Sequence, residues 1–165
     1  MARAGFGGRL GRLLRTLVRP SGRGATPVRS LERGPAAGDR IGYTPRADGA
    51  PDPGEVVWAW VPFDEGDGRG KDRPVLVIGR RGGDLLALML TSKDHDRDAA
   101  DEARFGRYWT DIGRGPWDAR GRPSEVRLDR LLVLERSGVR REGAALDEEM
   151  FHAVVEAARR HHSLG

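Results

Sequence analysis

Two residues whose side chains could do chemistry stand where short apolar runs meet polar segments. Arg73 directly precedes one apolar run, and Thr91 directly follows the next. A guanidinium is planar and permanently charged, so it can hold an anionic group, and a hydroxyl can donate one more hydrogen bond. Plainer roles stay open, namely a salt bridge from Arg73 to Asp72 or Glu65 and a turn-capping hydroxyl for Thr91.

Predicted strands position these two residues. Three short runs are rich in β-branched, aromatic or aliphatic residues and bounded by glycines, which predicts strands: Val56–Phe63, Pro74–Ile78 and Leu85–Leu90. If the second and third are antiparallel neighbours, the start of one lies beside the end of the other. Arg73 and Thr91 would then share one rim. The polar, glycine-rich segment Asp64–Asp72 is predicted to be a loop, and long loops of this kind are often functional.

The remaining pattern predicts a mainly β domain that ends in one helix. Further short strands are predicted at Arg40–Tyr43, Tyr108–Ile112, Glu125–Leu134 and Gly138–Gly143. Residues 80–84 are predicted to be a turn, and residues 93–107 to be irregular. Asp147 is a good N-cap for the final helix, whose apolar face holds Phe151, Val154, Val155 and Ala158. About five to seven short strands followed by one helix are typical of a small barrel.

The basic character of the chain belongs to its N-terminal segment. Residues 1–52 hold ten arginines against four acidic residues, whereas residues 53–165 hold 19 basic and 21 acidic residues. Residues 9–19 predict a short basic amphipathic helix, which could weakly contact a membrane surface, contact RNA or a partner protein, or be a frayed tail that is helical only when something binds it. The Gly/Pro/Arg-rich residues that follow predict a disordered linker. We therefore expect a basic extension over residues 1–52 and one folded domain over residues 53–165, in which nucleic-acid binding requires a local basic cluster.

Several kinds of site are not predicted. Cysteine is absent, which excludes disulfides and thiolate metal sites. The segment Asp94–Asp98 begins like a calcium loop, but Ala99 and Phe105 stand where that loop needs glycine and glutamate. The adjacent His161 and His162 suit a helix end better than a metal site. We expect no metal ion, no cofactor and no membrane span, and a cytoplasmic protein fits.

Several stretches resemble the MazF/PemK toxins of bacterial type II toxin–antitoxin pairs, namely GEVVWAWVPF, GKDRPVLVIG and LLALMLTSK. The later stretch SEVRLDRLLVLERSGVRREGAALDEEMFHAVVEAA is similar to their closing strands and helix. The resemblance covers Pro53 to Arg160 and points to an actinobacterial branch with a basic N-terminal extension. It implies an SH3-like barrel with a C-terminal helix, usually a homodimer.

The resemblance also implies a metal-independent endoribonuclease that cuts single-stranded mRNA, with Arg73 and Thr91 as catalytic residues. RNA is cut when a 2′-OH attacks the adjacent phosphate, and a guanidinium and a hydroxyl can hold the phosphoryl oxygens. Four further residues are predicted to bind substrate: Glu65, Lys71, Ser92 and Lys93. The proton acceptor stays open among Glu65, Asp67 and His95. Trp58, Trp60 or Trp109 could stack a base, although a core role is favoured for the first two.

Two hypotheses therefore stay open. In the first, the protein is an RNA-cleaving toxin that a cognate antitoxin restrains, and it meets DNA only through the antitoxin complex. In the second, it is a catalytically inactive SH3-like barrel that binds nucleic acid or protein. The segment Arg104–Pro123 is an insertion relative to the compact family pattern, and it lies where substrate would approach.

Overall fold

The computed structural model describes residues 29–30 and 37–164 of the chain. The predicted helix over residues 9–19 lies outside the described residues. The strands are β1 Arg29–Ser30, β2 Asp39–Ile41, β3 Glu55–Pro62, β4 Gly70–Arg81, β5 Asp84–Thr91, β6 Trp109–Gly113, β7 Ser124–Leu134 and β8 Val139–Ala145. The helices are α1 Ala99–Arg104 and α2 Glu148–Arg159, with short 3₁₀ turns at Asp96–Asp98 and Arg136–Gly138.

The eight strands of the described residues all belong to one antiparallel sheet. Its order is β1-β7-β5-β4-β3-β8, and β2 pairs with β4 while β6 pairs with β7. Every pairing is antiparallel. This confirms the predicted mainly β fold with a C-terminal helix. Strand β1, which the sequence did not predict, brings the number of strands in the described residues to eight, against the five to seven expected.

Both faces of the central strands are apolar, because successive side chains point to opposite faces. Val56, Leu76 and Leu88 belong to one buried cluster, and their neighbours Val57 and Val75 belong to another. The four apolar residues of α2 pack into the first cluster, as the sequence predicted: Phe151, Val154, Val155 and Ala158. The helix therefore covers one face of the sheet.

The final helix begins as predicted. The carboxylate of Asp147 accepts a hydrogen bond from the backbone N–H of Met150 at 3.1 Å, which satisfies one of the free donors at the helix start. None of the helices in the described part of the chain is long and apolar enough to cross a membrane.

The loop before Arg73 is shorter than predicted. Strand β4 begins at Gly70, so Lys71, Asp72 and Arg73 lie in the strand and pair with β3. A Cβ on Gly70 would lie 2.4 Å from the carbonyl oxygen of Val61, so glycine allows the two backbones to meet there. The predicted turn over residues 80–84 shrinks in the same way, because β4 runs to Arg81 and β5 starts at Asp84.

Residues 93–107, which were predicted to be irregular, contain a 3₁₀ turn and the helix α1. The sequence does not reveal this helix because α1 buries none of its residues. A helix without a buried face has no apolar period from which it could be predicted.

Residues 37–53 pack on the barrel, although a linker with one short strand was expected there. Strand β2 overlaps the predicted strand at Arg40–Tyr43 and pairs with β4. Arg81 donates two hydrogen bonds of 2.7 Å to Asp39, and the Tyr43 hydroxyl donates to the carbonyl of Leu146 at 2.7 Å. The division of the chain at residues 52 and 53 stays a prediction.

Candidate active site

The register of three neighbouring strands brings Arg73 and Thr91 together. Val75 of β4 pairs with Met89 of β5. Arg73 and Thr91 lie two residues beyond this pair on their strands, and both line the same cleft. Residues two positions apart in a strand share a face, so Arg73 lies on the face of Val75 and Thr91 on the face of Met89. Thr91 lies opposite Glu125 of β7. Arg73, Thr91 and Glu125 therefore form one row across three strands, which we call the rim row.

Arg73 and Thr91 line an open cleft of about 410 Å³. Six basic side chains line this main cleft, namely Lys71, Arg73, Lys93, Arg107, Arg127 and Arg130, together with three acidic ones, Asp64, Glu65 and Glu102. Positive charge is thus concentrated here, although residues 53–165 hold more acidic than basic residues. The main cleft has the local basic cluster that binding of an anionic polymer requires.

Arg73 keeps its guanidinium open toward this cleft. It makes no hydrogen bond and no ion pair with any residue that the structure describes. The salt bridge to Asp72 that the sequence left open does not form, because Asp72 pairs with Nε of Arg140 at 3.1 Å instead. Arg73 is half-buried on the face of the sheet that α2 does not cover.

The surroundings of Arg73 disfavour its positive charge. Burial lowers the pKa of Arg73, the positive charges of Arg130 and Arg127 lower it further, and Asp64 offsets only part of this. The charge of Arg73 in turn lowers the pKa of Lys71, with burial as the smaller cause. An anion bound between these groups would relieve their mutual repulsion.

The opposite wall of the cleft is made of ion pairs. Arg127 donates to Asp129 at 3.1 and 2.9 Å and to Asp64 at 2.7 Å. Arg130 lies 3.0 Å from Asp64 and donates to the carbonyl of Pro62 at 2.8 Å. Burial opposes the charge of Arg127, but the hydrogen bonds to Asp129 and Asp64 outweigh it and raise its pKa. We call Asp64, Arg127, Asp129 and Arg130 the paired wall.

A buried histidine stands beside the rim row. Nδ1 of His95 lies 2.7 Å from Oε2 of Glu125, and the backbone N–H of His95 donates to Oε1 at 3.1 Å. The imidazole stacks on Trp109, with ring centroids 4.1 Å apart and parallel planes. His95 and Trp109 line the main cleft with Arg73 and Thr91.

The structure places the predicted substrate-binding residues in two clefts. Glu65, Lys71 and Lys93 line the main cleft. Ser92 lines a smaller cleft of about 210 Å³, which Lys71, Arg73 and Thr91 also line. The Thr91 hydroxyl accepts a hydrogen bond from the backbone N–H of Lys93 at 3.2 Å. The turn-capping contact is therefore present, and it leaves the hydroxyl hydrogen of Thr91 free to donate.

Other candidates lie outside the main cleft. Asp67 pairs with Arg69 at 2.6 Å in the exposed loop and lines neither cleft. Trp58 and Trp60 are half-buried and belong to neither apolar cluster, which corrects the core role favoured for them. The ring of Trp58 lines the smaller cleft. Among the described residues, no three His, Asp or Glu side chains gather as they would around a metal ion.

The segment Arg104–Pro123 contributes walls to both clefts. Arg107 and Trp109 line the main cleft, and Asp118 and Arg122 line the smaller one. The segment is anchored by Trp117, whose buried indole N–H donates to Ser124 Oγ at 3.1 Å. This part of the chain is therefore folded against the barrel beside the rim row.

Sequence reasoning missed the paired wall and the role of Glu125 as the partner of His95. Arg127 and Asp129 alternate with apolar residues in β7, so their shared face was readable from the sequence. The contact between Arg127 and Asp64 was not, because these two residues are separated by more than 60 positions. Glu125 becomes meaningful only once β5 and β7 are known to pair.

Comparisons with known proteins give the family of the chain. The crystal structure of MazE-MazF from Deinococcus radiodurans is 19% identical, covers 68% of this chain and 96% of its own, and has a TM-score of 0.47. The Mycobacterium tuberculosis toxin MazF-mt6 is 18% identical, with 67% and 98% covered and a TM-score of 0.44. No curated protein sequence matches. The family model of the PemK-like, MazF-like toxins matches residues 52–162. The chain therefore belongs to the PemK-like, MazF-like toxins of type II toxin–antitoxin systems, as its sequence predicted.

Proposed function

We propose that this toxin is an endoribonuclease that cleaves single-stranded RNA without a metal ion. The observation that carries the proposal is the open guanidinium of Arg73, which shares with Thr91 a cleft whose charged side chains are mostly basic. Family membership supports a toxin of a toxin–antitoxin pair, and the cleft offers what binding of a phosphodiester needs.

The reaction that suits this site is attack of a 2′-OH on the adjacent phosphorus. The bond from O2′ to phosphorus forms, the bond to O5′ breaks, and the products are a 2′,3′-cyclic phosphate and a 5′-OH. Negative charge grows on the non-bridging oxygens in the transition state. Arg73 can hold these oxygens through paired hydrogen bonds, because no described residue forms a hydrogen bond or an ion pair with its guanidinium. Thr91 can donate one more bond from its hydroxyl.

The two clefts suggest how the strand lies. Lys71, Arg73 and Thr91 line both clefts, so a phosphate held by them would leave one neighbouring nucleotide in each. Segment 104–123 supplies Arg107 and Trp109 to the main cleft and the charged side chains of Asp118 and Arg122 to the smaller one. We infer that this segment sets the sequence preference, because bases are read by stacking and by hydrogen bonds to their edges.

The proposed partners follow from the family. A cognate antitoxin protein would restrain the toxin, and contact with DNA would arise only through the antitoxin complex. A homodimer belongs to the same proposal. Lys71 and Lys93 would bind the phosphates beside the one that is cut. Both lysines line the cleft, and neither takes part in the ion pairs of the paired wall.

Incubation of the purified protein with a long single-stranded RNA transcript in EDTA tests this function. We expect cuts that leave 2′,3′-cyclic phosphate ends, and no cut where the mapped site carries a 2′-deoxynucleotide. Arg73→Ala and Thr91→Ala should leave the transcript intact. Arg159→Ala is the matched control, because Arg159 lies on α2 in an exposed ion pair with Glu156, and it should cut like the wild type.

An intact transcript at high protein concentration would overturn the enzymatic proposal. If the protein then still binds the RNA, the inactive binding barrel becomes the better description.

A further inference from the structure

His95 and Glu125 form a buried pair on the site. His95 is 8% exposed and Glu125 is 5% exposed. The carboxylate of Glu125 accepts a hydrogen bond from the backbone N–H of His95 at 3.1 Å and lies 2.7 Å from the ring atom Nδ1 of His95. The flat face of Trp109 stacks on the ring. Backbone, carboxylate and indole together fix the orientation of the imidazole.

This pairing also fixes the proton on the imidazole. A carboxylate accepts hydrogen bonds, so the short contact places the proton on Nδ1 of the neutral ring. Nε2 then carries the free lone pair. Nε2 makes no hydrogen bond with any described residue, and the ring lines the main cleft. His95 therefore lines the same cleft as Arg73 and has a proton-accepting nitrogen that no described residue engages.

The rim row sets the spacing between Arg73 and Glu125, the partner of His95. Neighbouring strands lie about 4.8 Å apart, so the backbones of Arg73 and Glu125 are separated by roughly 10 Å across β4, β5 and β7. Thr91 stands between them. A phosphate held by Arg73 and Thr91 can therefore have its neighbouring ribose on the side of His95.

We propose that His95 is the general base of the RNA cleavage, and that Glu125 is its positioning residue. This inference rests on the proposed function. Nε2 of His95 takes the proton from the 2′-OH as O2′ bonds to phosphorus, and the departing O5′ takes its proton from solvent water. The imidazolium that forms is stabilised by the carboxylate of Glu125.

The charged groups around His95 come from four elements. They are Glu125 and Arg127 of β7, Glu102 of α1, Arg107 after it, Lys93 after β5 and Arg73 of β4. The imidazole accepts the proton only while neutral, so cleavage by the wild type rises with pH along the ionisation of one group. In His95→Gln this ascending limb is absent, because glutamine does not ionise.

Single-turnover cleavage of the mapped RNA site, measured across pH, tests the proposal. We expect His95→Gln to lower the rate by about 100-fold or more, while affinity for a 2′-O-methyl RNA of the same sequence stays unchanged. Glu125→Gln should lower the rate less, with the same unchanged affinity for the 2′-O-methyl RNA, because the imidazolium loses its counter-charge. His152→Gln is the matched control, since His152 is exposed on α2, and it should match the wild type in rate and pH profile.

A substrate with sulfur in place of O5′ separates a base from an acid. The thiolate leaves without a proton, so the loss in His95→Gln persists if His95 is the base. If His95→Gln cleaves this sulfur substrate as fast as the wild type does, His95 is the acid that protonates the leaving oxygen. That result would overturn its assignment as the general base. An unchanged rate and pH profile in His95→Gln, with Arg73→Ala inactive, would overturn the role of His95 and leave the proposed function standing. If the wild type leaves RNA intact, both proposals fail.

Discussion

The rim row and the paired wall face the same cleft, and both contain half-buried or buried arginine, but their electrostatics differ. Arg73 has no hydrogen-bond partner among the described residues, and its pKa is lowered first by burial and then by Arg130 and Arg127. Arg127 is held by Asp129 and Asp64, and its pKa is raised. A guanidinium that already has two carboxylates contributes to stability, whereas one without a partner is available to a ligand. Counting the arginines of a cleft would not have separated these roles.

The largest expected effect comes from removing the open guanidinium. Arg73→Ala should lower the rate of RNA cleavage by about 1000-fold, because a preorganised donor to the phosphoryl oxygens is lost. The thermal midpoint should not fall, since burial and like charges oppose the charge of Arg73 in the native state. Single-turnover kinetics measure the cleavage rate, and thermal unfolding measures the midpoint. A rate within tenfold of the wild type, together with a clear loss of stability, would assign Arg73 to the structure.

The next largest effect should come from the paired wall, and it should appear in stability. Asp129→Asn leaves Arg127 without its principal carboxylate at a site where both side chains are at most 14% exposed. Breaking a buried pair in this way costs about 3 kcal/mol of unfolding free energy, measurable by urea denaturation. In Asp101→Asn, the matched control at an exposed pair with Arg104, the cost should be below about 0.5 kcal/mol. Equal costs in the two variants would contradict the comparison.

A smaller effect is expected for the lysine beside Arg73. The charge of Arg73 is the main cause of the lowered pKa of Lys71, so the two cations lie close enough to share an anionic ligand. Lys71→Ala should reduce the slope of log affinity against log salt by about 0.7 for a 2′-O-methyl RNA. Fluorescence anisotropy at several salt concentrations measures the slope. An unchanged slope would remove Lys71 from the binding surface.

The smallest effect concerns acid stability. Burial alone would raise the pKa of Asp64, but the hydrogen bond and charge of Arg127 lower it below the ordinary 3.8, helped by Arg130 and Arg107. Its stabilising contribution is therefore complete above pH 3.8 and is lost as the pH falls through the lower native pKa. Asp64 is 40% exposed, so solvent screening keeps the contribution below about 1 kcal/mol. Unfolding free energies of the wild type and Asp64→Asn should converge at low pH, and a constant difference would contradict this sign.

The sequence was most informative where a periodic pattern met a boundary. Runs of apolar residues located β3, β5 and β7, and Asp147 located the start of α2. Antiparallel pairing of two predicted strands was enough to bring Arg73 and Thr91 to one rim. These predictions succeeded because the position of each strand, and of the helix start, depends mainly on residues that are close in the sequence.

The rest depended on contacts between distant residues or on elements without an apolar pattern. The first residues of β4 were not predicted because they are polar, namely Lys71, Asp72 and Arg73. The strand projects past the apolar core there. Helix α1 has no buried residue to mark it. The pair of His95 and Glu125 joins residues 30 positions apart, and only the pairing of β5 with β7 makes them neighbours.

Nuclear magnetic resonance of the arginine Nε–H groups tests the central comparison most directly. Nitrogen-15-labelled protein would be titrated with a 2′-O-methyl RNA that spans the mapped cut site, with signals assigned through Arg73→Lys and Arg127→Lys. We predict that the Arg73 signal shifts as the RNA binds, because its guanidinium gains a partner, while the Arg127 signal stays in place between Asp64 and Asp129. A shift of the Arg127 signal with an unmoved Arg73 signal would contradict the account, since the RNA would then bind to the wall and leave the rim row unused.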